Sequence, residues 1–205
     1  MNTDYLRLYL VLETDMLKCP LEEFIPAVVE GGVTCIQLRD KGHTVKEHYD
    51  LGRKIQKLLE GKDVLFVIND RVDLAAALDA EAVHLGIKDL PLGKAKEKFT
   101  EFTYGYSCND MADIETAKLA DYIGVGPTFA TSTKKDLRGV IGPEGIKRLV
   151  ASTEKPAVAI GGIGERNISE LKGIGLSGVA VSSAICASEN PYEAAKLLRA
   201  QAEEL

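Results

Sequence analysis

Eight short apolar runs, each followed by a stretch of helical periodicity, constrain this chain more than any other feature of its sequence. The runs are LRLYLVL (6–12), CIQLR (35–39), VLFVI (64–68), AVHLG (82–86), TYGYS (103–107), YIGVG (122–126), AVAIG (157–161) and GVAVS (178–182). Most are continuously apolar rather than alternating, the pattern of strands buried on both faces. Between them the period changes. In PLEEFIPAVVEGG, Leu21, Phe24, Ile25, Val28 and Val29 fall on one helix face, and Gly31 and Gly32 can end it. Leu51, Ile55, Leu58 and Leu59 repeat the pattern, with Gly61 as the stop. RVDLAAALDA, PLGKAKEKF, MADIETAKLA, PEGIKRLVAS, RNISELKGIG and NPYEAAKLLRAQAEEL supply six further helices. Pro143 and Pro191 sit near helix starts, where a missing N–H costs little.

Eight strands alternating with eight helices in 205 residues predict an α/β fold, a (β/α)8 TIM barrel, as a single compact domain over residues 1–205. A doubly wound open sheet is the rival. It usually needs fewer strands, and neither GVGPTF nor GGIGER completes the dinucleotide fingerprint GxGxxG. Walker A, HExxH and zinc-ligand spacings are missing too. The net charge of −6 with no long basic run argues against a nucleic-acid partner. The opening MNTDYLRLYLVLETD lacks the basic start and long apolar run of a signal peptide. No run approaches the roughly 18 apolar residues of a membrane span. Cys19, Cys35, Cys108 and Cys186 lie far apart with no CxxC, which reads as reduced thiols in a cytoplasmic protein.

In such a barrel, function gathers where the strands end and the following loops begin. Those ends are polar here. The second strand runs into QLRDK, the third into NDR, the fourth into HLGIKD, and the fifth ends at Ser107. The sixth leads to GPTFATSTKKD, the seventh to GGIG and the eighth to SSAI. Side chains alternate along a strand, so Gln37, Arg39 and Lys41 share one side and Leu38 and Asp40 the other. With Gln37 facing the interior, both cations stack towards the mouth. Arg39 offers a planar fork for phosphate oxygens and Lys41 a movable charge; a strand-end ion pair between Arg39 and a neighbouring carboxylate is the competing reading. Asp70 and Asp89 follow successive strands and can converge as oxygen ligands suited to Mg2+, although Asp70 could instead cap a helix. Asp73 fits the first helical turn.

In the sixth loop, Thr131, Ser132, Thr133 and Lys134 are suited to holding oxyanions, or the segment is simply a surface loop. Gly161, Gly162 and Gly164 let backbone approach a ligand, or serve only a tight turn. With Ser182 and Ser183 they fall where this fold usually binds phosphate. Arg39, Lys41 and Lys134 set against Asp70, Asp89 and one Mg2+ roughly balance a diphosphate. Two phosphate sites at one mouth suggest two phosphorylated small-molecule substrates.

The ordered set QLRDK, NDR, HLGxxD, GxS, GPTFATSTKKD, AIGGI and VSSAI, along nearly the whole chain, resembles the thiamine phosphate synthase (thiamine-phosphate pyrophosphorylase) family. The resemblance implies a Mg-assisted transferase. It joins hydroxymethylpyrimidine diphosphate to hydroxyethylthiazole phosphate, giving thiamine phosphate and diphosphate. It further implies that Gln37, Arg39, Lys41, Asn69, Ser107 and Lys134 contact the pyrimidine diphosphate, with the rest of QLRDK, Leu38 and Asp40, in the same substrate-binding set. By the same resemblance, Arg39, Lys41 and Lys134 would be the catalytic cations, Asp70 and Asp89 would hold Mg2+, and Thr131, Ser132, Thr133, Gly162, Ser182 and Ser183 would take the thiazole phosphate. The family mechanism breaks the carbon–oxygen bond first and needs no protein nucleophile. His43, His48 and His84 are then not required as bases, and His84 reads as a packed or hydrogen-bonded strand residue. A homodimer is also implied.

Three positions differ from the common family pattern. Ala130 stands where proline is common, Asn109 where histidine is, and Ile87 where glutamine is. The thiazole tautomerase branch is the nearest alternative, but it usually carries histidine where this chain has Pro127. A non-catalytic regulator binding phosphorylated ligands is a second alternative. A phosphate-binding barrel enzyme of the tryptophan-biosynthesis kind would be expected to show an acid–base pair at the strand ends, and no convincing one is found.

Overall fold

All eight predicted strands form, within two residues of their expected bounds: β1 Leu8–Leu12, β2 Cys35–Leu38, β3 Leu65–Asn69, β4 Ala82–Leu85, β5 Thr103–Cys108, β6 Tyr122–Val125, β7 Ala157–Ile160 and β8 Gly178–Val181. In this computed structural model, which describes residues 1–39, 42–130 and 139–205, each strand pairs in parallel with the next. β8 returns to β1, closing a (β/α)8 barrel. The helices are α1 Leu21–Glu30, α2 Val45–Leu59, α3 Val72–Ala77, α4 Leu92–Lys98, α5 Ile114–Ala117, α6 Gly142–Ala151, α7 Ser183–Cys186 and α8 Pro191–Ala202.

The continuous apolar character of the strands has a direct cause. One parity of each strand packs outward against the helices, as with Leu8, Leu10, Leu12, Ile36, Leu38 and Ile68. The other parity fills the barrel interior with a smaller cluster that includes Tyr9, Val11, Cys35, Leu65, Val67 and Tyr122. These inward side chains plug the lower barrel. Nearer the strand C-termini the inward positions turn small or polar (Asn69, Ser107, Gly124), and the interior opens to solvent.

Side-chain caps fix the starts of α2 and α8. Thr44 caps α2 in a reciprocal box, its hydroxyl accepting from Glu47 N and its own N–H donating to the Glu47 carboxylate. Two expectations are corrected. The chain is not yet extended at Leu6, because Thr3–Leu6 makes a 3-10 turn capped by Asn2, and Leu6 caps the interior cluster from below. After β7, RNISELKGIG gives only a 3-10 turn at Ile168–Leu171, with Ile168 and Leu171 fully buried. Gly173 and Gly175 both take positive φ and leave too little chain for a full helix. The short α7 precedes α8 and is an element that the period of the sequence did not reveal.

The helical ring closes where α1 meets α8. A Cβ on Gly31, at the end of α1, would stand 2.7 Å from both the Ala195 Cβ and the Tyr192 carbonyl oxygen of α8. Gly31 has an ordinary helical φ of −69°, so the demand is steric alone. Gly31→Ala should therefore cost about 1–3 kcal/mol by overpacking, read as a lowered urea midpoint. A neutral or stabilised variant would show that the two helices are free to separate.

Candidate active site

The open end of the barrel forms a cavity of about 460 Å3 at the C-terminal edge of the strands. Strand alternation decides what lines it. From β2 come Gln37 and Arg39, from β3 Asn69 and from β5 Ser107; Gly162 follows β7, and Ser182 and Ser183 follow β8. Every one of these was a predicted site residue. Leu38 is fully buried in the layer between the strands and the helices. Its parity turns its side chain away from the cavity. Asp40, Lys41, Thr131, Ser132, Thr133 and Lys134 lie outside the described residues.

The two acidic candidates follow neighbouring strands, Asp70 immediately after β3 and Asp89 in the turn after β4. Asp70 takes φ +63° immediately after β3, and its N–H donates to the His84 carbonyl at 2.9 Å. It is not the cap of α3. Arg71 occupies that place, and its guanidinium is held by the Asp73 carboxylate in a two-point contact, 2.8 Å from Nε to Oδ1. That contact draws the Asp73 carboxyl below its usual range. Asp89 closes a tight turn, Oδ2 accepting from Gly86 N at 2.6 Å. Asp89 Oδ2 and Ser107 Oγ lie 3.1 and 3.9 Å from the point where a Cβ on Gly86 would stand, so this carboxylate borders the β5 edge of the cavity. Among the described residues, no group of three or more His, Cys, Asp or Glu side chains gathers as a ligand set. An ion held here would depend on two carboxylates and oxygens from elsewhere, which is the habit of Mg2+.

Arg39 is paired, as the competing reading of QLRDK allowed. Its guanidinium contacts Glu13 at the end of β1, and both side chains are mostly shielded from solvent. Glu13 lines the cavity and was not singled out in the sequence. It offsets one of the cations counted towards a diphosphate.

The loops after β6 and β7 are bound to each other. Thr128 N donates to Ile160 O at 2.8 Å and Phe129 N to Gly161 O at 2.9 Å. Gly161 and Gly162 have φ of +100° and +65°. A Cβ on Gly162 would fall 2.6 Å from the Ala130 carbonyl oxygen, so these glycines serve a turn and a close backbone approach together. Asn167, hidden in the sequence within the expected seventh helix, braces the turn through Gly164 N and Gly162 O, both at 2.9 Å. On the neighbouring strand end, after β8, the buried Ser182 Oγ has only the weakly bonding Cys186 thiol beside it among the described residues, which suits a hydroxyl that meets a ligand.

The cavity floor carries a chain of polar groups. Gln37 Nε2 donates to the Tyr9 hydroxyl at 2.6 Å, and the Tyr9 and Tyr122 hydroxyls are 2.8 Å apart. Tyr122 Oη lies 3.2 Å from His84 Nδ1, and His84 Nε2 lies 3.0 Å from Ser107 Oγ. Burial pushes both phenols well above their usual range, so they stay protonated. The expected hydrogen-bonded role of His84 is found, and its ring also faces the cavity. Tyr9 and Tyr122 were missed, although a tyrosine inside a fully buried strand announces a need for a polar partner. Of the three departures from the family pattern, Asn109 and Ala130 line the cavity, and the Asn109 amide donates to the Gly126 carbonyl. Ile87 is exposed.

The thiamine monophosphate synthase family model matches residues 8–185. A thiamine-phosphate synthase of Desulfitobacterium hafniense is 42% identical over 202 residues, covering 96% of this chain and 96% of the relative. One from Archaeoglobus fulgidus is 40% identical over 199 residues, covering 95% and 92%. The solved thiamine phosphate pyrophosphorylase of Pyrococcus furiosus superposes with a TM-score of 0.87 at 36% identity, covering 98% of both chains.

The left-handed backbone at Asp70 separates its structural role from its charge. Asn tolerates that region and Ala does not, so Asp70→Ala should lose about 1–2 kcal/mol of unfolding free energy while Asp70→Asn stays near wild type. Equal losses in a denaturant titration would contradict the placement.

Proposed function

This chain belongs to the thiamine monophosphate synthase family, and from that premise we propose the chemistry of its barrel mouth. The chain is an enzyme, a transferase of thiamine biosynthesis. Its substrates are hydroxymethylpyrimidine diphosphate and hydroxyethylthiazole phosphate, and its products are thiamine phosphate and diphosphate. The observation that carries this reading is the convergence of Gln37, Arg39, Asn69, Ser107, Gly162, Ser182 and Ser183 on one cavity from five different strands.

The pyrimidine diphosphate is held on the side of β2 to β5, by Gln37, Asn69 and Ser107 around the ring and by Arg39, Lys41 and Lys134 on the diphosphate. Asp40 belongs to the same proposed substrate-binding set. The thiazole phosphate sits opposite, on the backbone of the Gly162 turn, on Ser182 and Ser183, and on Thr131, Ser132 and Thr133. The Ser182 hydroxyl, with no oxygen or nitrogen partner among the described residues, supports that assignment. Asp70 and Asp89 would hold Mg2+; when bound, the ion neutralises charge on the departing diphosphate. Arg39, Lys41 and Lys134 favour the same departure electrostatically, since charge grows on the leaving oxygens as the carbon–oxygen bond lengthens. The thiazole nitrogen, fixed by its own phosphate, then attacks the pyrimidine methyl carbon. Glu13 keeps the Arg39 fork oriented before substrate arrives.

We place the enzyme in the cytoplasm, supported by four free cysteines of which three are buried. Among the described residues, no helix is long and apolar enough to cross a membrane. A homodimer rests on the family resemblance and is read by light scattering. The decisive assay mixes both purified substrates with Mg2+ and follows thiamine phosphate and diphosphate in equal amounts. Product should form only with Mg2+ present. Asp89→Asn, whose amide oxygen can still accept from Gly86 N, and Lys134→Ala should each cut turnover by roughly 100-fold or more with an unchanged unfolding midpoint. Turnover near wild type in either variant, or product without the metal, would defeat the assignment.

A further inference from the structure

The hydrogen-bonded chain beneath the cavity has a direction, and the direction determines what the cavity floor offers a ligand. The amide nitrogen of Gln37 is only a donor, so Tyr9 accepts from it; with the Tyr9 proton turned to Tyr122, 2.8 Å away, rather than to the neighbouring Cys35 sulfur, one direction follows along the rest of the chain. Tyr122 in turn donates to His84 Nδ1, which must then be the unprotonated nitrogen. His84 carries its proton on Nε2 and donates it to Ser107 Oγ. Ser107 has accepted, so its hydroxyl proton is left for the cavity. Gln37 Nε2 is turned down into the chain, so its carbonyl oxygen is the amide group left for the cavity.

The sheet is built to allow this contact. Register aligns His84 with Gly105 and Gly105 with Tyr122 on consecutive strands. Gly105 therefore stands between the two side chains that meet. A Cβ there would lie 2.4 Å from both His84 Nδ1 and Tyr122 Oη. Gly124 gives room on the other side, with His84 Cε1 3.2 Å from its missing Cβ. The absent side chain at Gly105 is what lets the histidine and the tyrosine lean across a strand and touch.

We propose that Tyr9, Tyr122 and His84 are positioning residues that fix the hydrogen-bond polarity of the cavity floor. They make Ser107 a donor and Gln37 an acceptor towards a heteroaromatic ring that carries a ring nitrogen beside an amino group. The reversed chain would have the same length and the same members, but it would put the proton on His84 Nδ1, make Ser107 an acceptor, and repel such an edge. The ligand half of this inference rests on the reading given under Proposed function; the polarity half does not.

The test is nitrogen NMR of the imidazole of His84 in the free protein, assigned by its loss in His84→Gln. At neutral pH the wild type should show one tautomer, protonated at Nε2. Tyr122→Phe, which keeps the ring and removes the donor, should abolish that single-tautomer state. It should also raise KM for the pyrimidine diphosphate about tenfold, one hydrogen bond's worth, with KM for the thiazole phosphate unchanged. Gly105→Ala should break the chain in the same way by wedging a methyl between His84 and Tyr122, with no member of the chain replaced. A wild-type Nδ1–H tautomer overturns the inference, as does a Tyr122→Phe protein with the wild-type tautomer and both KM values intact. If the wild type makes no thiamine phosphate, the substrate reading fails while the tautomer still decides the polarity.

Discussion

Side-chain alternation in a closed parallel barrel is the constraint from which the rest of this molecule follows. Each strand can send only every second residue inward, so four to six residues of strand yield two or three interior positions. The lower ones are filled by Tyr9, Cys35, Leu65, Val67 and Tyr122. The upper ones are therefore the only places from which a strand can address a ligand in the barrel, and they are where Gln37, Arg39, Asn69 and Ser107 stand. The same rule removes Leu38 from the cavity, one residue away from two that line it.

Electrostatics at the rim is more evenly matched than a count of cations suggests. Glu13 holds Arg39, and Asp70 and Asp89 add two carboxylates at the corner of β3 and β4. Under the proposed function, these carboxylates would disfavour an isolated anion and favour one that arrives with a divalent cation. The opposite side of the mouth is organised differently, by backbone. The loops after β6 and β7 are stitched together through Thr128 and Phe129, and Gly162 admits the Ala130 carbonyl where a side chain would stand.

The strands were legible because apolar runs buried on both faces leave a strong and simple pattern, and the site was legible because polar residues at their ends break it. Three things were not. The turn after β7 looked helical because Ile168 and Leu171 carry the right spacing, yet Gly173 and Gly175 cut the segment short. Glu13 was overlooked because its partner Arg39 is 26 residues away and adjacent only through strand pairing. The chain from Gln37 to Ser107 joins five strands, and no local pattern in any of them announces the other four. Gly105 shows the difficulty well: its importance lies in which two side chains register brings to either side of it.

The central claim is that this rim recognises a diphosphate together with a divalent cation. Calorimetric titration of inorganic diphosphate into the purified protein tests it most directly. Binding should be at least roughly tenfold tighter with Mg2+ than with chelator, as expected when metal and phosphate oxygens are held together, and Asp70→Asn should abolish that difference. Binding of equal strength with and without the metal, or a difference that survives in Asp70→Asn, would contradict the account.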